Sequence, residues 1–230
     1  NNIDQLEYTS TESGIQMQII EGSLDHYNSM VDYIQNNDLN QPAIYDQIQQ
    51  WMNVDSFIDH VVMTLYCANT SWEHNREWWR SREENGKWQW LIVDLDRGFN
   101  VNNTYINLLD NLMDDYDLFQ YLLESESFKD RFIQRAAAHF SNTFNSERIT
   151  AIVDSLSNKI SLEVPRHIDR WGNEGSISSM SSWENNLEEI SQFGQNRSTF
   201  VQNQFINEFD LDGTVQVSQT DGGVVISSQK

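Results

Sequence analysis

The sequence predicts an α+β fold that is mainly α, with one β-hairpin at its centre. Three observations carry this. Apolar residues recur at three- and four-residue spacing over 23–36, 42–52, 53–68 and most of the chain after Tyr116. Residues 76–90 (REWWRSREENGKWQW) read instead as two strands around Asn85-Gly86. Finally, 38% apolar residues, with 11 Phe, 8 Trp and 8 Tyr in 230 residues, are ample for a packed core.

The elements follow in order. Residues 14–21 (GIQMQIIE) read as a short strand, and no element is read before Gly14. Ser23 caps a helix through Asn36, with Leu24, Tyr27, Met30, Val31 and Ile34 at helical spacing. Pro42 opens a second helix to Met52. Asn53 or Asp55 caps a third that ends near Ala68 and points Phe57, Ile58, Val61, Val62, Leu65 and Tyr66 inward. In the hairpin, Asn85 and Gly86 both accept positive φ, which predicts a two-residue turn with Glu84 opposite Lys87. The second strand continues through Leu91–Val93 into Asp94-Leu95-Asp96, and Arg97–Asn107 is a polar loop. Helices follow at 117–124, 127–143, 146–170 and 181–208, with Ser127, Ser146 and Ser181 or Ser182 as caps and Glu184 near a capping-box position. Residues 172–180 link the last two helices. The texture then changes to Gly, Ser and Val, with strands expected at Thr214–Val217 and Val224–Ser227. The expected division is therefore a domain over 1–210 and the start of a separate β module or linker over 211–230.

Charge and composition exclude some functions. A net charge of −21 and a pI near 4.3 repel nucleic acid and anionic membranes, and suit solubility in a salty medium. No segment is long and apolar enough to span a membrane. Cys67 is alone in an apolar helical run and reads as a buried small residue. A start at Asn1 without Met reads as a processed or excised piece of something longer. The five His lack ligand spacing, which argues against zinc. The cluster Trp72, Trp78, Trp79, Trp88 and Trp90 reads as hairpin packing rather than a carbohydrate platform.

Chemistry concentrates between Asn69 and Phe99. A helix delivers the chain to a polar loop with Asn69, Trp72, His74 and Asn75; a hairpin that carries Arg80 then returns to Asp94 and Asp96, followed by Gly98-Phe99. If the strand persists, Asp94 and Asp96 share the face of Trp88, Trp90 and Ile92. Carboxylates at the exit of an apolar strand call for a cation, and one Asn with one or two Asp suits Mg²⁺. Phosphoryl transfer to proteins uses this order of parts: loop, Asn ligand, hairpin, Asp ligand, aromatic and Gly. The spacing also allows a plainer reading, in which Asp94 and Asp96 cap a turn and Asn75 stabilises a loop.

The runs N-T-S-W-E-H-N-R-E-W-W-R (Asn69–Arg80) and G-K-W-Q-W-L-I-V-D-L-D-R-G-F (Gly86–Phe99) resemble the spore-coat protein H (CotH) kinase family, secreted or cell-surface atypical protein kinases. The resemblance covers about residues 20–208 and implies an atypical kinase-like C-terminal lobe. It implies Mg²⁺ (or Mn²⁺) and ATP as cofactors, with Asn75 and Asp94 on the metal and Asp96 supporting the loop or a second metal. Asn69 would orient the loop, and Arg76 would contact phosphate or pair with a surface carboxylate. The expected substrate is a protein of the same or a neighbouring secreted or cell-surface assembly, modified on Ser or Thr. The sequence departs from the family pattern in three ways. The family's base Asp is replaced by Ser71, or by Thr70 if Arg80 sets the alignment, and neither is a carboxylate; Glu73 is the nearby stand-in. A nucleotide lobe with a phosphate-clamping Lys is expected before residue 15 and is not found there. Arg76 stands where many members have a second Asn. The rival readings are a degenerate, non-catalytic cell-surface binding or scaffold domain, and a hydrolase of another phosphate ester.

Overall fold

The computed structural model describes residues 2–175 and 177–212, and the backbone of 215–220 and 223–228. Its main sheet has the order β2-β1-β3-β4, antiparallel throughout: β1 Ile3–Thr11, β2 Gly14–Glu21, β3 Arg76–Ser81 and β4 Gln89–Leu91. Helices α1 (Asp25–Gln35), α2 (Pro42–Trp51) and α3 (Val54–Cys67) separate the first two strands from the last two. Then come α4 (Leu108–Asp115), α5 (Asp117–Leu123), α6 (Glu126–Ala138), α7 (Ser146–Ile160), α8 (Val164–Trp171) and α9 (Met180–Glu208). The class is α+β, as read. Two further strands, β5 (Val215–Thr220) and β6 (Gly223–Ser228), pair with each other where two were expected. No helix among the described residues is long and apolar enough to cross a membrane.

Strand β1 has no counterpart in the sequence reading, yet it is an inner strand of the sheet. Its inward row begins Asp4-x-Leu6, and a carboxylate in that row breaks the apolar alternation that marks a strand. Asp4 is 2% exposed. It accepts from Arg80 Nε at 2.9 Å, Arg82 Nε at 2.7 Å and the Ser23 backbone N at 2.9 Å, and so ties β1 to β3 and to the start of α1. Burial works against its charge, but the hydrogen bonds from Arg82, Ser23 and Arg80 outweigh burial and hold the carboxyl below its usual range. Gly22 completes this corner with φ +83; a Cβ there would lie 2.2 Å from Asp4 Oδ1 and 2.4 Å from Arg82 Nη2.

The hairpin forms, but not in the predicted register. Trp78 pairs with Trp90 and Trp79 with Gln89, whereas a turn centred on Asn85-Gly86 would set Ser81 opposite Trp90. Gly86 N instead donates to Glu83 O at 2.9 Å, and Asn85 is not among the residues of positive φ. Tertiary demands override the local turn signal. Trp88 N donates to Trp51 O and Asn53 N to Trp88 O, both at 2.9 Å, which fixes Trp88 against the α2–α3 junction. Trp78, Trp88 and Trp90 are all buried in this register.

Helix α3 is the spine of the helical layer, with ten of its fourteen residues buried. Asn53 caps it as read, accepting from Ser56 N at 3.2 Å. Phe57 packs on Trp90, Tyr116, Phe119 and Phe128, joining the sheet to α5 and α6. On the outer side Asp59 accepts from Arg135 Nε at 2.5 Å and contacts His139 Nε2 at 2.8 Å. Burial alone would raise the Asp59 pKa; hydrogen bonds from Arg135 and His139 overcome it and bring the carboxyl down to about 2.

Other boundaries shift for local reasons. The caps are Ser125, Asn145 and Ser179, not Ser127, Ser146 and Ser181 or Ser182, and Ser179 shares its capping box with Ser182 rather than Glu184. Leu24 is the N-cap of α1, although Ser23 Oγ still accepts from Asp25 N at 3.0 Å. The 146–170 segment divides at 161–163, because Pro165 can stand only in a helix's first turn. Helix α4, capped by Asn107, was not anticipated.

Replacing Gly22 with Ala forces a Cβ onto the buried Asp4–Arg82 pair at a positive φ. The Gly22→Ala chain is expected to lose about 2 kcal/mol or more of stability, read by urea unfolding; a loss below about 0.5 kcal/mol would contradict the Asp4 corner.

Candidate functional site

The site is assembled where α3 ends. Ala68 turns left-handed (φ 52) and stops the helix, leaving Asn69 buried at 2% exposure. Asn69 Oδ1 accepts from Ser71 N at 3.2 Å and from Ser71 Oγ at 2.9 Å. Ser71 Oγ accepts from Asn75 Nδ2 at 3.1 Å. On its other side Asn69 Nδ2 reaches the backbone O of Asp94 at 3.5 Å. One polar chain therefore runs Asp94–Asn69–Ser71–Asn75 and joins the loop after α3 to the loop after β4. Glu73 lies exposed on the 3-10 turn Trp72–His74, and its backbone O accepts from Arg76 Nε at 3.3 Å.

The strand does not persist to Asp96. It ends at Leu91, and Asp94 adopts φ 47, so Asp94 and Asp96 do not continue one strand face. The reason lies in α3. Ser56 Oγ receives Trp90 N at 2.8 Å and His60 Nδ1 contacts Leu91 O at 3.1 Å, so these side chains take up the backbone edge of β4. Both Asp side chains are exposed. Beyond them Gly98 N donates to Leu95 O at 2.9 Å and Phe99 N to Cys67 O at 2.8 Å. Gly98 sits so close to the end of α3 that a Cβ would be 3.1 Å from Cys67 Cβ. Phe99, also left-handed at φ 56, packs on Tyr66 and Phe193.

Arg197 of α9 secures both loops and is wholly buried. Its guanidinium donates to Leu65 O at 2.6 Å, Tyr66 O at 3.1 Å, Thr104 O at 2.8 Å and Ile106 O at 2.9 Å. No carboxylate pairs with it among the described residues. The C-terminal carbonyls of α3, at the negative end of that helix, take the place of a counter-ion. Burial pulls its pKa down to about 10, which leaves it charged at neutral pH. Sequence reasoning missed this residue. The signal was present: Arg197 falls in the buried row Phe193, Gly194, Val201, Phe205 of α9, where a cation has to be explained.

An open cleft of about 460 Å³ lies beside the 94–99 loop, bordered by Thr70, Asp96, Arg97, Gly98 and Asn103, and by Asn186 and Glu189 of α9. The α9 residues have no local signal that could have marked them. Arg76, by contrast, is buried and faces another cavity. Its guanidinium lies 4.3 Å from the Tyr8 ring, 4.4 Å from Tyr116 and 5.2 Å from Trp72, an aromatic cage rather than a surface ion pair. The exposed carboxylates of Asp94 and Asp96 offer oxygen ligands, which suit a hard cation such as Mg²⁺. Among the described residues no three His, Cys, Asp or Glu side chains cluster as a ready-made cage. A metal here would keep several waters or phosphate oxygens, as Mg²⁺ does.

A family model described as CotH kinase protein matches residues 1–201, from the first strand into α9. No functionally curated protein matches the chain.

Two expectations follow from the buried groups. Arg197→Met removes a donor from four carbonyls, of which Leu65 O keeps Ala68 N and Ile106 O keeps Gln204 Nε2; it is expected to cost on the order of 3 kcal/mol in thermal or urea unfolding, with Arg197→Lys recovering only part because an ammonium cannot fork to all four. His60 is held neutral, its pKa lowered to about 4 by burial, with Arg76 adding to the effect and the Leu91 hydrogen bond opposing it. The unfolded chain therefore binds a proton between about pH 6.5 and 4 that the folded chain refuses, so stability falls as pH drops through that window. His60→Asn, which can still donate to Leu91 O, is expected to flatten this slope in unfolding midpoints measured between pH 7 and 4; an unchanged slope would sink the assignment.

Proposed function

Because this chain belongs to the CotH kinase family, we propose that it serves in the transfer of the ATP γ-phosphoryl group to Ser or Thr hydroxyls of a protein substrate, with Mg²⁺ or Mn²⁺, as part of a secreted or cell-surface protein. The observation that carries this reading is the polar chain Asp94–Asn69–Ser71–Asn75, which fastens the two loops with the expected metal ligands to each other. On this reading the functional unit is residues 1–210, and 211–230 is the start of a separate β module or a linker.

Asn75 and Asp94 would hold the metal, and Asp96 would support the loop or a second ion. A bound Mg²⁺ supplies charge neutralisation and alignment of the phosphates. The chain's own residues do the positioning. Asn69 has both ends of its amide engaged and so sets the distance between the loops. Asn75 Nδ2 is committed to Ser71, which leaves its Oδ1 as the acceptor for a cation. The left-handed turn at Asp94 carries its carboxylate out of the sheet toward solvent, where a nucleotide can reach it.

Ser71 favours a second reading. Aligned on Trp72 it takes the position of the family's base Asp, which falls to Thr70 if Arg80 sets the alignment, and its hydroxyl donates to Asn69 and accepts from Asn75. It acts as a bracket, and a hydroxyl is no general base near neutral pH. Either Glu73, exposed on the adjacent turn, takes the substrate proton, or the domain binds without transferring phosphate.

The test is ATP and Mg²⁺ binding by calorimetry on the full-length protein, followed by phosphate transfer. Asp94→Ala is expected to weaken Mg-ATP binding at least tenfold, about 1.4 kcal/mol. Glu73→Gln is expected to lower the transfer rate roughly 10²-fold or more with little change in nucleotide affinity. Binding with no transfer establishes the scaffold reading. Absence of Mg-ATP binding by the full-length protein overturns both.

A further inference from the structure

Strand β2 is an edge strand, and among the described residues no strand pairs with its outer side. Exposed edges are usually protected by charge, proline or a bulge. Here the run Gly14–Ile20 (GIQMQII) contains no charge and no proline, and Ile15, Ile19 and Ile20 are 41–49% exposed.

The run is also a palindrome. Ile15-Gln16-Met17-Gln18-Ile19 reads the same in both directions. Two antiparallel copies related by a two-fold axis at Met17 place Ile15 opposite Ile19, Gln16 opposite Gln18 and Met17 opposite itself. Each residue then meets its own kind or a matching partner, as an isologous interface requires. The faces agree with this. Ile15, Met17 and Ile19 lie across from Ser10, Tyr8 and Leu6 of β1, so their row extends the core layer containing Leu6. Gln16 and Gln18 line the opposite face, where their amides can pair across the strands.

Charge selects the same register. Two chains of net charge −21 repel each other, so contact requires a stretch where acids do not meet. In the register centred on Met17 the flanking Glu21 lies opposite Ser13 of the other copy and Glu12 opposite Gly22, so no carboxylate faces a carboxylate. We propose that β2 is a homodimer interface, in which the β2 strands of two copies pair antiparallel about Met17 and join two four-stranded sheets into one of eight strands. The inference does not depend on the phosphoryl-transfer reading.

Analytical ultracentrifugation of the 230-residue chain tests it. The expected result is a reversible species of twice the 26.9 kDa chain mass that grows with concentration and with ionic strength, since salt screens the repulsion. Ile15→Lys and Ile19→Glu are each expected to weaken dimerisation at least tenfold while leaving the thermal midpoint of the monomer unchanged, because both residues are exposed. Mixing the Ile15→Lys chain with the Ile19→Glu chain is expected to restore the dimer, because each Lys then faces a Glu. Met17→Cys is expected to cross-link to itself under oxidation. A chain that stays monomeric at high concentration and high salt overturns the proposal. So does a dimer indifferent to both substitutions, or a mixture that fails to recover.

Discussion

The buried guanidinium of Arg197 is the constraint on which the site depends. A helix end leaves carbonyls unpaired, and the end of α3 lies inside the protein, where water cannot reach them. Arg197 meets two of these carbonyls and, with the same planar group, two more from residues 104 and 106. It thereby joins the loop that begins at Asn69 to the chain that follows Phe99, although α9 is some 130 residues away in sequence. Phe99 and Gly98 then close against Cys67 because the helix end is held still.

Helix α3 serves the site along its length, and its polar residues matter as much as its apolar ones. Asn53, Ser56 and His60 recur at helical spacing on the face that meets β4, and each makes a hydrogen bond to that strand or its flank. They take the place of a fifth strand. The consequence is a strand of three residues followed by a free turn, and that turn lifts Asp94 out of the sheet. A second face of α3 carries Asp55 and Asp59, which Arg131 and Arg135 clasp from α6. The helix is therefore fixed on two faces before it delivers Asn69.

The sequence was legible where one periodicity governed burial. The first three helices stand close to their expected spans because their stripes are mainly apolar, and the long α9 does so because Phe193, Val201 and Phe205 keep the period around Arg197. Legibility failed where a polar group occupied a core position. Asp4 hid β1, and Arg197 was overlooked within α9, since pattern matching treats a charge as a surface mark. The Asn85-Gly86 signal misled for another reason: a turn preference worth at most a kilocalorie or so cannot outweigh the burial of Trp78, Trp88 and Trp90 in another register. Within the site, the residue set Asn69, Ser71, Asn75 and Asp94 was visible as a cluster, while the direction of Arg76 was not, because aromatic partners from β1 and the α4–α5 junction decide it. Asn186 and Glu189 reach the cleft through the tertiary fold alone.

The charge inventory constrains any chemistry at this cleft. The chain has 35 acidic residues against 14 basic ones. Most of the arginines are already engaged: Arg80 and Arg82 on Asp4, Arg131 on Asp55, Arg135 on Asp55 and Asp59, Arg166 on Glu163, Arg197 on backbone carbonyls and Arg76 among aromatic rings. On the cleft itself the one cationic side chain among the described residues is Arg97, between Asp96 and Gly98. A polyphosphate entering this negative field would meet more repulsion than a single exposed arginine can offset. Divalent cations change that balance, since each adds two positive charges at a point where Asp94 and Asp96 already stand exposed. On the phosphoryl-transfer reading, the acidity of the chain would make a metal a condition for holding a nucleotide at this cleft, with Asp96 on its border and Asp94 exposed on the turn beside it.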